Sequence, residues 1–167
     1  IRIPPQRGGW LEVICGPMFS GKSEEMIRWL RRAEIAGQRV VIFKPRIDDR
    51  YDATDVVSHA GARMRAVAVE SVPELVARSA GHDVVGIDEV QFFDGSIVDA
   101  ALALADRGIR IVVSGLDQDF RRLPFGVMPE LLAHAEFVDK LQAVCHRCGG
   151  TATTTQRLVD GRPAPYS

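Results

Sequence analysis

The residues best suited to chemistry lie in one early stretch, positions 16–23, which reads GPMFSGKS. Its GxxxxGKS spacing is typical of a phosphate-binding loop, in which backbone N–H groups turn inward around a polyphosphate, the lysine reaches the outer phosphates and the last hydroxyl can ligate magnesium. A tight strand-to-helix turn is the alternative, but such a turn does not need Lys22 and Ser23 in register. We therefore predict a phosphate site formed by Gly16, Pro17, Met18, Phe19, Ser20, Gly21, Lys22 and Ser23.

Two neighbouring acids, Asp88 and Glu89, stand at the end of a short apolar run, DVVGID. An aspartate that ends a strand downstream of a phosphate loop is placed to hold magnesium or a water bound to it. Successive residues of a strand point to opposite faces, so the two carboxylates need not collide and can take separate roles. Asp88 would then serve the metal, and Glu89 would take a proton from an attacking hydroxyl. The alternative is that both acids simply end a strand in solvent.

Several large apolar side chains fall in loops just beyond predicted strand or helix ends, where ordinary core residues are uncommon. Together they could form the walls of a pocket for a flat ring. The alternative is that each belongs to a small satellite of the core. They are Met18, Phe19, Phe92, Phe93, Leu116, Phe120 and Phe125.

Cys145 and Cys148 form a CxxC knuckle, which suits two thiolate ligands of a tetrahedral zinc ion. Such a site needs four ligands, and positions 149–167 contain no cysteine or histidine. We therefore expect the other zinc ligands to come from elsewhere, and the set within these positions to be incomplete.

These side chains must be positioned by elements whose order can be read from hydrophobic periodicity. The pattern predicts strands around 13–14 and at 39–44, 83–88, 110–114 and 137–144, and helices at 24–36, 71–80, 96–107 and 129–134. Alternating strands and helices indicate an α/β fold with a parallel sheet, whose ligands bind beyond the carboxyl ends of the strands. The phosphate loop, the two acids and the segment after Gly115 should therefore share one crevice, while 46–65 is predicted to be a long loop.

The composition limits the classes of function. The chain has 167 residues and a net charge of −1, so a broad basic face for nucleic acid is not expected. Its three cysteines do not indicate a secreted disulfide framework, and no apolar run is long enough for a signal peptide or a membrane span. We predict a cytoplasmic protein with a nucleotide-binding core at 1–143, of which 1–9 form a flexible arm, and a smaller segment at 144–167.

Four motifs in order carry a resemblance to a known family. They are GPMFSGKS at 16–23, IDEVQFF at 87–93, LDQDFRRLPFG at 116–126 and VCHRC at 144–148. Together they resemble the thymidine kinases of the tetrameric, zinc-containing type, over nearly the whole chain. The resemblance implies a phosphate-loop, RecA-like core with a parallel sheet flanked by helices, and a small zinc-binding lobe whose lasso loop covers the nucleoside. It also implies transfer of the γ-phosphate of ATP to the 5′-hydroxyl of thymidine, giving dTMP for nucleotide salvage and DNA synthesis.

The same resemblance implies roles for individual residues. Glu89 would be the general base, Lys22 and Ser23 would handle phosphate and Mg²⁺ together with Asp88, and Arg50 and Gln91 would belong to the ATP site. The residues enclosing the nucleoside would be Met18, Phe92, Leu116, Phe120, Phe125 and Thr155, with Arg157 also in the lasso. A structural Zn²⁺, a homotetramer and feedback by dTTP would complete the family pattern, with no nucleic-acid or membrane partner.

Two other functions remain open. A phosphate-loop kinase for another small hydroxyl substrate would keep Lys22, Ser23 and the two acids but change the apolar walls. A nucleotide-gated zinc module that binds nucleic acid through its cysteine knuckle would need a basic, aromatic surface, which the near-neutral charge does not favour. The thymidine kinases that the chain resembles carry a second Cys or Cys/His pair beyond the lasso, and positions 149–167 contain neither residue type.

Overall fold

A computed structural model describes residues 2–5, 8–46, 55–57, 61–163 and 165. The strands are Leu11–Cys15 (β1), Val40–Pro45 (β2), Asp55–Val57 (β3), Arg63–Arg65 (β4), Val67–Val69 (β5), Val84–Ile87 (β6), Arg110–Gly115 (β7), Phe137–Lys140 (β8), Ala143–Val144 (β9), Thr151–Ala152 (β10), Leu158–Val159 (β11) and Arg162–Pro163 (β12). The helices are Lys22–Ile35 (α1), Val72–Ser79 (α2), Ser96–Asp106 (α3) and Met128–His134 (α4), with a short 3₁₀ helix at Val90–Phe92.

Six strands form one sheet in the order β5-β2-β6-β7-β1-β8, and every neighbouring pair in it is parallel. Strands β1, β6 and most of β7 are buried on both faces, which explains their continuous apolar sequences. The predicted α/β fold with a parallel sheet flanked by helices is confirmed. The order also brings β1, which precedes the phosphate loop, next to β7, and β7 next to β6, which precedes the acids.

Helices cover both faces of the sheet. On one face, α1 buries Met26, Ile27, Leu30 and Ala33, residues at helical spacing, against Ile14, Ile42 and Val112 of the sheet. On the other face, α2, α3 and α4 pack against Leu11, Val13 and their neighbours. Helix α2 begins at the predicted cap, because the Ser71 hydroxyl accepts a hydrogen bond from the Glu74 N–H at 3.2 Å.

The prediction of a long loop at 46–65 is wrong in its described part. Strands β3 and β4 pair antiparallel there, and β5 follows as an edge strand of the main sheet. Each of these strands has three residues, which is too short for period-two alternation to stand out in a polar sequence. Asp48, Asp49, Arg50 and His59 lie outside the described residues.

The predicted strand at 137–144 is also wrong in its bounds. Of the positions 137–144, only those of β8 join the main sheet, where they pair with β1. The chain then leaves that sheet, and β9 pairs antiparallel with β10. A second small hairpin, β11 with β12, follows. The opening segment, which we expected to be a loose arm, contacts the body where it is described: Arg2 pairs with Asp139, and the Gly9 N–H donates to the Ala105 carbonyl at 2.8 Å. Within the described chain, no helix combines the length and apolarity that crossing a membrane requires.

Candidate active site

The phosphate-loop segment connects β1 directly to α1, as its sequence predicts. Gly16 has φ 147° and Gly21 has φ 88°, conformations that side chains rarely allow. A Cβ atom on Gly16 would also lie 2.6 Å from the Leu141 carbonyl oxygen, so only glycine fits there. Gly21 forms the N-cap of α1, so the first N–H groups of the helix belong to the loop.

Lys22 is held at its own loop. Its Nζ donates to the Pro17 carbonyl oxygen at 2.7 Å, and the Ser20 hydroxyl donates to the same oxygen at 2.8 Å. Burial lowers the pKa of Lys22, while the negative charges of Asp88 and Asp117 oppose that shift. The ammonium is thus a partly desolvated cation at the start of α1, where the phosphates of a nucleotide would require one.

A cavity of about 770 Å³ opens beside this loop at the carboxyl ends of the strands. The residues lining it are Met18, Phe19, Ser20, Gly21, Lys22, Ser23, Glu24, Lys44, Asp55, Val56, Asp88, Glu89, Gln91, Phe92, Ser114, Gly115 and Leu116. The loop, the acids and the segment after β7 therefore share one crevice, as the sequence predicted. Gly16 and Pro17 shape the loop behind this lining.

Asp88 and Glu89 both line this cavity, at the edge of the sheet where the sequence predicted them. Asp88 continues the sheet ladder, because its N–H donates to the Phe43 carbonyl at 2.8 Å. Glu89 has left the strand: its φ of 51° is a left-handed conformation at the start of the 3₁₀ helix. That turn, which alternation along a strand cannot anticipate, places the second carboxylate in the same crevice as the first.

The two carboxylates affect each other electrostatically. Burial and the adjacent charge of Glu89 raise the pKa of Asp88 to about 6. Burial also raises the pKa of Glu89, although Lys44 and Lys22 oppose the shift. Carboxylate oxygens are the ligands that a divalent cation such as Mg²⁺ prefers, so these two acids are the pair that could hold one in this cavity.

Lys44 is a cavity residue that the sequence prediction missed. Only 8% of its surface is exposed, and its Nζ donates to the Asp55 carbonyl oxygen at 3.0 Å. Burial lowers the pKa of Lys44, and the acids Asp88 and Glu89 oppose that shift. The available signal was a lysine within an apolar parallel strand, VVIFKP, since such strands are buried on both faces and a charge there needs a partner.

Gln91 joins the loops that follow β6 and β7. Its Oε1 accepts a hydrogen bond from the Leu116 N–H at 3.2 Å, and only 6% of the residue is exposed. A Cβ atom on Gly115 would lie 2.4 Å from that oxygen, so the glycine allows the two loops to meet. Gln91, predicted for the ATP site, lines the cavity and also fixes Leu116 in it.

The predicted aromatic wall is divided between two cavities. Phe92 and Leu116 line the large one, and the Phe92 ring meets that of Phe125 edge-to-face with centroids 5.5 Å apart. Phe120 and Thr155 instead line a second cavity of about 450 Å³, together with Arg122, Thr154, Gln156, Arg157, Pro163 and Pro165. Phe93 was expected in the pocket wall, but it is 9% exposed and packs in the core.

A hydrogen bond connects Thr155, a residue expected in the lasso, to the phosphate loop. The Met18 N–H donates to Thr155 Oγ1 at 2.9 Å, across 137 positions of sequence. Near Thr155 in sequence, the Cζ atom of Arg157 lies 5.5 Å from the centroid of the Phe120 ring. Thr155 therefore contacts a residue of the large cavity while lining the small one.

The cysteine knuckle forms a turn closed by backbone hydrogen bonds. The Cys145 N–H donates to the Gly150 carbonyl and the Gly149 N–H donates to the Cys145 carbonyl, both at 2.8 Å. Backbone N–H groups of Cys148 and Arg147 lower the pKa of the Cys145 thiol, which favours the thiolate that a metal would bind. The described residues contain no cluster of three or more His, Cys, Asp or Glu side chains suited to a metal, so a zinc ion held by Cys145 and Cys148 would need further ligands.

Replacing Asp88 with Asn should stabilise the metal-free fold above pH 6. Because the pKa of Asp88 is raised to about 6, the folded state carries a penalty for its ionised form that is absent at low pH and complete above pH 6. We expect Asp88→Asn to raise the free energy of unfolding by about 1–3 kcal/mol at pH 8, and by roughly half as much at pH 5. Urea unfolding of the parent and of Asp88→Asn at pH 8 and pH 5, with a chelator present, measures these free energies of unfolding.

Asp94→Asn is the matched control. Hydrogen bonds from Ser96 lower the pKa of Asp94, so its replacement should give no gain at either pH. A loss of stability in Asp88→Asn at pH 8, or a gain that does not shrink at pH 5, would contradict the assigned electrostatics.

A family model described as thymidine kinase matches residues 9–164. The match includes the phosphate loop, both acids, the segment after β7 and the cysteine knuckle.

Proposed function

The chain belongs to the thymidine kinase family and is a thymidine kinase enzyme, and on that premise we propose that it transfers the γ-phosphoryl group of ATP to the 5′-hydroxyl of thymidine, giving dTMP for nucleotide salvage. The observation that carries this proposal is the single cavity shared by Lys22 and Ser23 on one side and Asp88 and Glu89 on the other. Phosphoryl transfer needs little covalent chemistry from the protein, and these four side chains supply the cation, the metal ligands and the base.

The donor nucleotide is assigned to the phosphate loop. Backbone N–H groups at the start of α1 would cradle its phosphates, and Lys22 would compensate their charge. Ser23 and Asp88 would hold Mg²⁺, since both are oxygen donors in the same cavity. When bound, magnesium neutralises charge that builds up on the phosphate oxygens. Arg50, also assigned to this site, lies outside the described residues.

Glu89 is assigned the role of general base. Its carboxylate lines the cavity in an exposed position, so a hydroxyl group can reach it. Burial raises the pKa of Glu89, which makes its carboxylate a stronger base, while Lys44 and Lys22 oppose that shift. The left-handed turn at Glu89, an uncommon conformation for a residue with a side chain, fixes the carboxylate beside Asp88.

The nucleoside is assigned to the apolar side of the crevice. Met18, Phe92 and Leu116 line the large cavity there, and the Phe92–Phe125 pair extends this wall. Phe120 and Thr155 are assigned to the lasso side of the same nucleoside, because Thr155 reaches Met18 through its hydrogen bond. A flat pyrimidine ring with a methyl group suits such a wall.

The finer family properties belong to this proposal as well. Cys145 and Cys148 would bind a structural Zn²⁺ with two further ligands that the described residues do not provide. A homotetramer, feedback by dTTP and a cytoplasmic location follow from the family resemblance. None of the catalytic steps above depends on zinc.

Thymidine should be the preferred substrate among the four common deoxynucleosides. The proposed wall suits one flat ring with a methyl group, so a purine would fit it less well, and we expect kcat/KM for thymidine to exceed that for deoxyguanosine by roughly 100-fold. The measurement is ADP release with ATP and magnesium, tested with each deoxynucleoside and with none. Comparable values for deoxyguanosine would favour a phosphate-loop kinase with another small hydroxyl substrate.

A further inference from the structure

Lys44 occupies an unusual position for a lysine. It lies near the carboxyl end of β2. Phe43 of β2 is the register partner of Ile87 in the neighbouring strand β6, so Lys44 follows Phe43 just as Asp88 follows Ile87. A lysine with 8% of its surface exposed is uncommon unless its ammonium group has partners. Its partners therefore indicate what the residue does.

One partner is the backbone of the β3–β4 hairpin, which we define as β3 and β4 alone. Lys44 Nζ donates to the carbonyl oxygen of Asp55, the first residue of β3, at 3.0 Å. Asp55 and Val56 line the large cavity, and Val56 is also packed in the hydrophobic cluster beneath α1. The hydrogen bond from Lys44 thus joins β2 to β3 at the lining of the cavity.

The other partners are electrostatic. The carboxylates of Asp88 and Glu89 favour the charged form of Lys44, and burial disfavours it. An ammonium group has three donors, and the Asp55 carbonyl takes one of them. Lys44 is therefore bonded to the hairpin and acted on by the charges of the acid pair.

We infer that Lys44 is a positioning residue for phosphoryl transfer: its ammonium group holds the β3–β4 hairpin as a wall of the active-site cavity and so keeps water away from the reacting phosphate. The effect of Lys44 on catalysis rests on the proposed function, whereas the anchoring of the hairpin by Lys44 does not depend on it. Exclusion of water matters in a kinase because water competes with the substrate hydroxyl for the phosphoryl group.

The hairpin offers a matched control at its other strand. Arg31, exposed on α1, donates from Nη2 to the carbonyl oxygen of Arg63 in β4 at 2.6 Å. That bond also joins a cation to the hairpin backbone, but Arg31 is not among the residues lining the cavity. Lys44→Met removes the cavity-side contact, and Arg31→Met removes the outer one.

The experiment compares the parent with Lys44→Met, Lys44→Arg and Arg31→Met in two measurements. Hydrogen exchange of the β3 and β4 amides reports anchoring of the hairpin without requiring activity. Initial rates of dTMP formation, and of ATP hydrolysis without nucleoside, report the effect on phosphoryl transfer and on its competition with water. For Lys44→Met we expect faster exchange in β3, a loss of about tenfold or more in kcat for transfer, and a higher ratio of hydrolysis to transfer. Lys44→Arg should restore much of the exchange protection in β3 and much of the transfer rate. Arg31→Met should transfer phosphate within about twofold of the parent rate.

Each other outcome contradicts a defined part of the inference. Unchanged exchange in Lys44→Met overturns the anchoring, whatever the activity. Faster exchange with unchanged transfer and hydrolysis overturns the role in catalysis. Equal losses of transfer in Lys44→Met and Arg31→Met overturn the assignment to the cavity side. If the parent forms no dTMP but the exchange result holds, the proposed function fails and the anchoring by Lys44 stands.

Discussion

Lys22→Ala should remain folded and lose about 10²–10³-fold in kcat/KM for thymidine phosphorylation. The ammonium group is the cation at the start of α1, where it donates a hydrogen bond to the loop carbonyl of Pro17. Charge on the outer phosphates grows in the transition state, so losing a fixed, partly desolvated cation there affects the rate more than it affects binding. Burial already lowers the pKa of Lys22, so removing the charge should not cost the fold much stability.

The measurement combines steady-state rates with thermal unfolding. Arg28→Ala is the control, because it removes a positive charge from the same helix but at an exposed ion pair with Glu25 outside the cavity lining. We expect that control to stay within about twofold of the parent. Near-normal turnover in a folded Lys22→Ala protein would remove the phosphate-loop assignment.

Glu89→Gln should keep nucleoside and ATP binding while turnover falls by roughly 10²–10⁴-fold, the usual contribution of a positioned general base. Glutamine retains the shape and hydrogen bonding of the side chain but cannot accept the proton of the 5′-hydroxyl. The left-handed backbone at Glu89 is tolerated equally by both residues, so the turn should persist. A loss near the lower end is compatible with the assignment, because loose phosphoryl-transfer transition states need little early deprotonation.

Asp88→Asn should fail differently from Glu89→Gln. Asp88 is assigned to magnesium, so its replacement should weaken the magnesium-dependent binding of ATP. Single-turnover transfer at saturating substrates, with thymidine affinity measured by calorimetry, separates the two. If Glu89→Gln transfers phosphate at the parental rate, or loses activity only through weaker thymidine binding, Glu89 is a ligand contact and the base lies elsewhere.

The part of the fold that follows from the sequence is the part with strong periodicity. The apolar runs of β1, β6 and β7 and the amphipathic pattern of α1 predict the parallel sheet and the face that α1 covers. The strand order then brings the loop and the acids together, since ligands of such sheets bind at the carboxyl ends. Strands β3, β4 and β5 could not be predicted, because three residues do not establish a period.

The parts of the site that could not be predicted depend on single backbone angles and on tertiary contacts. The direction of Glu89 depends on a φ of 51°, which breaks strand alternation at the residue where it matters. The burial of Lys44 depends on the hairpin that covers it, and the core position of Phe93 depends on the 3₁₀ helix before it. A sequence shows that such residues carry charge or bulk, but not which side of the chain they face.

The stoichiometry of the reaction with thymidine tests the proposed phosphoryl transfer most directly. The protein is mixed with magnesium, ATP and thymidine, and ADP, dTMP and free phosphate are quantified together by ³¹P NMR, beside the Lys22→Ala variant. We predict ADP and dTMP in equal amounts, phosphate attached at the 5′ position, little free phosphate, and a strong loss of both products in the variant. Release of free phosphate without dTMP, or equal product formation by Lys22→Ala, would contradict the account.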